Sequence, residues 1–157
     1  MNLANQLVDQ LSDRRLKLAL AESCTGGLIA AELTKVPGVS DWFCGSAVTY
    51  RSETKSAWLG VDPSVIQQVT AVSHQVATQM VQGVFRTTPE ADIAAAVTGH
   101  LGPQAPEGFD GLVFVATAVR SDVDPRVSRH QLKSITRLER QSEAANLVLQ
   151  ELLVRLK

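Results

Sequence analysis

A chain of 157 residues, 45% apolar and 20% charged, is long enough to bury a core and reads as one domain over residues 1–157. A net charge of −1 argues against electrostatically driven nucleic-acid binding, and 4% aromatic content argues against a stacking platform for single strands. The first fifteen residues mix Asp9, Asp13, Arg14 and Arg15 with no long apolar block, no run reaches bilayer-spanning length, and Cys24 and Cys44 make no disulfide framework; a cytoplasmic protein without a membrane partner is expected.

Leu3, Leu7, Val8 and Leu11 recur at helical spacing and predict an N-terminal helix. Leu16 to Ala21 reads as a buried strand, followed by a helix from about Gly27 to Lys35 that stops before Pro37-Gly38. Gly45 to Tyr50 is a second strand. A short helix follows over 52–59 with Ser52 near its cap, and another opens at Asp62-Pro63. Ser73 caps a longer helix from Val76 to about Phe85, with Val76, Met80 and Val84 on one face. Asp92 to Val97 and Leu112 to Val119 read as strands around a loop over 102–111; Val127 to Ile135 is a looser strand. The last helix places Leu138, Ala145, Leu149, Leu152, Leu153 and Leu156 on one side. Strands interleaved with helices predict a three-layer α/β/α sandwich. Its sheet is mixed and mostly parallel, with about five strands, because the last strands follow one another without a crossover helix.

Ala21-Glu22-Ser23-Cys24-Thr25-Gly26-Gly27 is the stretch around which the chain is arranged. A strand that turns sharply into a helix leaves unpaired N–H groups, which attract a phosphate or a developing oxyanion. A serine placed there suits a nucleophile; a Ser/Thr cap followed by a Gly-rich turn is the plainer reading. If three parallel strand ends converge, Ser23, Thr25, Tyr50, Lys55 and Thr98 share one crevice with Gly26, Gly27, Gly99 and Gly102. That group supports acyl transfer. No histidine is linked to Ser23 by a motif, so a lysine whose pKa is lowered by burial takes the place of the base. Tyr50 relays a proton or orients the lysine, and backbone N–H groups after Ser23 form the oxyanion hole. Each member also has a structural reading. Lys55 is a solvated helix charge, Tyr50 a surface hydroxyl, Cys24 a buried inert thiol or a second nucleophile, and His100 a loop residue or a ligand contact. No Walker lysine, dinucleotide fingerprint or zinc-ligand spacing is present, so neither metal nor cofactor is expected.

Ala21 to Gly27 resembles the signature of the CinA C-terminal domain family, which includes nicotinamide-nucleotide amidases. Ala47-Val48-Thr49-Tyr50 with Lys55 resembles the family's "VTYSNxxK", Ala71-Val72-Ser73 its "GAVS", and Ala96-Val97-Thr98-Gly99 with Gly102-Pro103 its "VTGIAGP"; Arg137 matches the Arg of its "GDR". The resemblance runs from about Leu16 to Leu152. It implies an α/β/α sandwich and metal-free hydrolysis of the amide of nicotinamide mononucleotide to nicotinate mononucleotide and ammonia. It implies Ser23 as nucleophile, Lys55 as base, Tyr50 as helper, and Thr98 and Gly99 lining the crevice. Arg137 meets a phosphate or a neighbouring subunit in a homo-oligomer. Ser52 replaces the family's Asn, Thr70 its Gly, His100-Leu101 its Ile-Ala, and Gln141, beside Arg140, its second Arg. Residues 102–111 have lost two glycines and a lysine, and Asp110 stands where an apolar residue is usual. These departures keep open a non-catalytic nucleotide-binding or regulatory paralogue and an amidase with a changed substrate.

Overall fold

The computed structural model describes residues 1–157. Strands β1 (Leu18–Glu22), β2 (Phe43–Val48), β3 (Ile93–Gly99), β4 (Leu112–Val119) and β5 (Arg126–Gln131) form one sheet in the order β2-β1-β3-β4-β5. β2, β1 and β3 pair in parallel, and β4 runs antiparallel to both of its neighbours. Four of the five strands therefore point the same way, as expected of a mixed, mostly parallel sheet.

The alternation of side chains along each strand builds two cores. Leu18, Leu20, Ile93, Ala95, Val97, Val113 and Val115 face one side, against helices α1 (Leu3–Arg14), α2 (Leu28–Thr34) and α6 (Arg137–Arg155). Ala19, Ala21, Ala94, Ala96, Ala116 and Ala118 face the other side, against α3 (Ser52–Leu59), α4 (Pro63–Val69) and α5 (His74–Thr87). This second face is paved with alanine, so α5 lies close to the sheet. Gly83 of α5 in turn admits α3: a Cβ there would lie 2.1 Å from the Leu59 carbonyl oxygen. Close packing on this face is what brings α3, and Lys55 with it, down over the carboxyl ends of β1 and β2.

The expected caps hold at two helices. Asp62 accepts the Ser64 N–H with Pro63 in the first turn of α4, and Ser73 accepts the Val76 N–H. Ser52 is instead the first residue of α3, and Arg51 sits in the cap position, its side chain accepting no helix N–H. β2 ends at Val48, so Thr49 and Tyr50 lie beyond the strand rather than inside it. β5 ends at Gln131 because the Glu143 carboxylate accepts the N–H groups of Lys133 and Ser134 and turns the chain. Leu138 is 75% exposed rather than part of the buried face of α6. In the first turns of that helix Arg137, Arg140 and Gln141 reach across to loops, and apolar burial begins at Ala144. No helix is long and apolar enough to cross a membrane.

Candidate active site

The carboxyl ends of β1, β2 and β3 meet, since Glu22 pairs with Val48 on one side and Val97 on the other. The residue after β1 is Ser23, and its N–H still reaches the Val97 carbonyl at 3.1 Å. Beyond it the chain turns through Gly26 and Gly27, with φ of 62° and 98°, before α2 begins. Sequence reasoning assigned no role to Glu22, yet Glu22 builds this turn. Its carboxylate is fully buried and accepts five hydrogen bonds: from the Thr25 hydroxyl at 2.7 Å, the Ser46 hydroxyl at 2.9 Å, and the N–H groups of Gly27, Ile29 and Ala30 at 3.1 Å. The signal was a carboxylate one turn ahead of a helix start, within capping reach.

This arrangement corrects the expectation that the helix start holds a ligand anion. The positive end of α2 is already occupied by Glu22. Thr25, Gly26 and Gly27 accordingly form the turn and do not line the cavity; Thr25 is fully buried, and its carbonyl accepts the Gln141 Nε2–H at 3.0 Å. The Cys24 and Thr25 N–H groups, in contrast, donate to no protein oxygen.

Lys55 arrives from α3 and is 2% exposed. Its Nζ lies 2.8 Å from Ser23 Oγ, 2.9 Å from the Thr49 carbonyl oxygen and 3.2 Å from the Tyr50 carbonyl oxygen. No carboxylate pairs with it. Burial therefore lowers its pKa from 10.5 to about 8, against a smaller opposing pull from Cys24. The neutral amine fits these partners: its two N–H bonds point at two carbonyls, leaving the lone pair to accept the Ser23 hydroxyl proton. The carbonyls of Thr49 and Tyr50 are free for this because β2 has already ended. Cys24 lines the cavity above Ser23 and Lys55 but is 5% exposed, and burial pushes its thiol up to about 12, away from the range of a thiolate nucleophile.

A cavity of about 430 Å³ opens over this pair, within the size range of small-ligand sites. Of the residues expected from the sequence, Ser23, Tyr50, Lys55, Thr98, Gly99, His100, Gly102 and Arg137 line it, joined by Ala71, Val72 and Gln104. Thr98 is buried and donates its hydroxyl to the Ala71 carbonyl at 2.8 Å, tying β3 to the turn before α5. Tyr50 is placed differently from the expected helper of the lysine. Only its carbonyl meets Lys55, while its hydroxyl is at 2.8 Å from Arg137 Nη2. Arg137 also donates to the Gly102 carbonyl at 2.7 Å and so spans the rim of the cavity. No three His, Cys, Asp or Glu side chains come together as a metal-ligating group.

The sequence model of the CinA C-terminal domain matches residues 1–156. The chain belongs to the CinA C-terminal domain family. A CinA-like protein of Dictyoglomus thermophilum is 42% identical over 124 residues, which are 78% of this chain and 30% of that protein. The chain spans roughly a third of the length of the curated relatives it matches. Among solved structures, the competence/damage inducible protein CihA of Agrobacterium tumefaciens is 35% identical, with a TM-score of 0.88 over 98% of this chain and 93% of that one. A CinA superfamily protein of Klebsiella pneumoniae superposes with a TM-score of 0.92 at 28% identity, over 98% and 95% of the two chains.

Two departures from the CinA motifs acquire physical content here. Thr70, in the place of a family glycine, holds φ 71° and ψ 163°, a region almost reserved for glycine. Asp110, in the place of an apolar residue, takes a two-pronged ion pair from Arg140 at 2.8 and 3.1 Å. Arg140 also donates to the carbonyls of Ser134 and Leu101, so the loop over 102–111 is fastened to α6 by an ion pair.

Proposed function

We propose that this chain is a Ser–Lys amidohydrolase whose substrate is nicotinamide mononucleotide, released as nicotinate mononucleotide and ammonia. The observation that carries the reading is the 2.8 Å contact between Ser23 Oγ and a buried, carboxylate-free Lys55 Nζ at the floor of a cavity. Neutral Lys55 takes the hydroxyl proton as Ser23 Oγ attacks the carboxamide carbon. The oxyanion that forms accepts a hydrogen bond from the Cys24 N–H, which donates to no protein oxygen and belongs to a residue of the cavity lining. Lys55 returns the proton to the departing nitrogen, and ammonia leaves an acyl-serine. Water, deprotonated by Lys55, then attacks that ester and regenerates Ser23. Arg137, spanning the rim, has donors suited to the substrate phosphate. A small-molecule nucleotide as sole partner, a homo-oligomeric assembly and a cytoplasmic location belong to the same proposal.

The test is ammonia release from nicotinamide mononucleotide by the purified protein, with Ser23→Ala as control. Turnover that falls by about 10³-fold or more in the variant supports the reading. Turnover unchanged in Ser23→Ala removes Ser23 as nucleophile. Folded protein that binds the nucleotide without hydrolysing it transfers the reading to a binding or regulatory role.

A further inference from the structure

Most polar side chains lining the cavity are already committed to other protein groups. Lys55 has three partners, Thr98 donates to Ala71, and Arg137 bridges Gly102 and Tyr50. His100 and Gln104 are the exceptions, their side chains hydrogen-bonding to no protein group; Gln104 is exposed on the rim, whereas His100 is half-buried. The His100 ring is also held in place. The backbone ladder between β3 and β4 continues through this residue: its N–H donates to the Leu112 carbonyl and its own carbonyl accepts the Gly111 N–H, both at 2.9 Å. Phe109 packs against the imidazole at 5.8 Å between centroids and 87° between planes, and Phe109 is not itself a lining residue. An imidazole in the cavity lining, packed against Phe109 and with neither nitrogen bonded to a protein group, has a donor and an acceptor to spend on a ligand.

Its position says which part of the ligand it meets. Since Glu22 pairs with Val97, Ser23 stands level with Thr98. His100 is two residues further along the same strand direction, about 7 Å at the usual rise, and on the same face as Thr98. The group it reads is therefore displaced from the attacked carbonyl by about the width of one ring. Burial holds the imidazole below its usual pKa, which makes it neutral near pH 7 and a poor anchor for an anion.

We infer that His100 is a specificity-determining residue that exchanges hydrogen bonds with an uncharged hydroxyl of the ligand, one ring away from the bond that Ser23 attacks. This rests on the amidase reading, in which that hydroxyl belongs to the sugar of the nucleotide. The site then reads its ligand at three places: the acyl group at Ser23, the sugar at His100 and the anion at the guanidinium donors of Arg137 that Gly102 and Tyr50 leave free.

The experiment is steady-state kinetics on nicotinamide mononucleotide with wild type, His100→Phe and His100→Asn, each first checked for cooperative melting. Phenylalanine keeps a ring against Phe109 and removes both nitrogens; asparagine keeps a donor and an acceptor. The expected result is a KM raised about tenfold in His100→Phe with kcat within about twofold, and a KM within about threefold of wild type in His100→Asn. His100→Ile repeats the nitrogen-free arm if the phenylalanine variant does not fold. A KM in His100→Phe equal to that of wild type overturns the inference alone. A loss of kcat with KM unchanged also overturns it, by moving His100 into the chemical step. Wild-type protein that does not turn over the nucleotide overturns the amidase reading and takes this inference with it.

Discussion

The Glu22 carboxylate accepts the Thr25 hydroxyl at 2.7 Å and thereby ties the end of β1 to the turn that carries Ser23. Four more donors converge on the same two oxygens, three on Oε2 and two on Oε1 in all. In Glu22→Gln the amide oxygen would take the more crowded Oε2 position. The NH2 group would then face Ser46, which can accept, and the Ala30 N–H, which cannot. One buried N–H loses its partner, a loss of about 1–3 kcal/mol. We expect a lower Tm and a fall in kcat with little change in KM, because the turn places the nucleophile and not the ligand. Denaturation and kinetics on the same sample check this; unchanged kcat at a lowered Tm would make Glu22 a purely structural cap.

Lys55 gives the protein a pH signature. Its folded-state pKa of about 8 lies below the ordinary 10.5, so between these values the unfolded chain binds the proton and the folded chain does not. Stability therefore rises with pH across that window. Below pH 8 both states are protonated and the penalty of burying the ammonium, about 3 kcal/mol, is fully present; above 10.5 it is absent. Lys55→Met should abolish the rise, which denaturant titrations at pH 7, 9 and 10.5 would show as a wild-type-minus-variant difference that grows with pH. Activity should rise along a single limb with an apparent pKa near 8, since only the neutral amine accepts the Ser23 proton. A flat rate profile from pH 6 to 9 would argue against Lys55 as base.

The order of helices and strands was legible because each element carries its own period and its own stop. Pro37-Gly38 follows α2, and Asp62-Pro63 opens α4. The meeting of Ser23 with Lys55 was legible too, since parallel neighbouring strands deliver their carboxyl ends to one place. Glu22 was not, because a carboxylate next to a polar motif looks solvated until the helix that it caps is folded over it. Nor was the placement of Tyr50: its partner, Arg137, is 87 residues away, and no local pattern records that contact. Leu138 misled for a related reason, since the helical stripe was correct in period while the core it should face ends before the first turns of α6.

Thr70 is the strained residue of the site. With φ 71° and ψ 163° it costs about 1–3 kcal/mol relative to a relaxed conformation. Its hydroxyl donates to the Val72 carbonyl at 3.2 Å, and its carbonyl accepts the Ser73 hydroxyl, so the strain is held by the turn that leads Ala71 and Val72 past the cavity. Thr70→Gly gives up one weak hydrogen bond and some unfolded-state restriction but removes the strain. We expect a net gain of about 1 kcal/mol, or about 3 °C in Tm, with kinetic constants unchanged. Calorimetry decides the sign; a drop in Tm would mean that the threonine contacts outweigh the backbone cost.

Asp110 and Arg140 fasten the loop that forms one wall of the cavity. Arg140 donates to Asp110 through both terminal nitrogens and also to the Leu101 and Ser134 carbonyls, so removing its guanidinium releases three separate points of the loop and its exit. Asp110 is the more exposed partner, and Arg140 holds its carboxyl below the usual range, chiefly through the hydrogen bonds between them. Arg140→Met should therefore raise KM for the ligand by about tenfold or more, since the Leu101–Pro103 wall loses its anchor while the Ser23–Lys55 contact keeps its own. Asp110→Asn should raise KM by no more than about threefold, because Arg140 keeps its two carbonyl acceptors and an exposed ion pair is partly screened. The double variant should be no worse than Arg140→Met, as Asp110 acts on the loop only through that guanidinium. Raising the salt concentration should narrow the gap between wild type and Asp110→Asn, beyond the salt effect on substrate phosphate binding that all four proteins share. Kinetics at low and high salt on all four proteins measure this; additive effects in the double variant would place Asp110 in direct contact with the ligand instead.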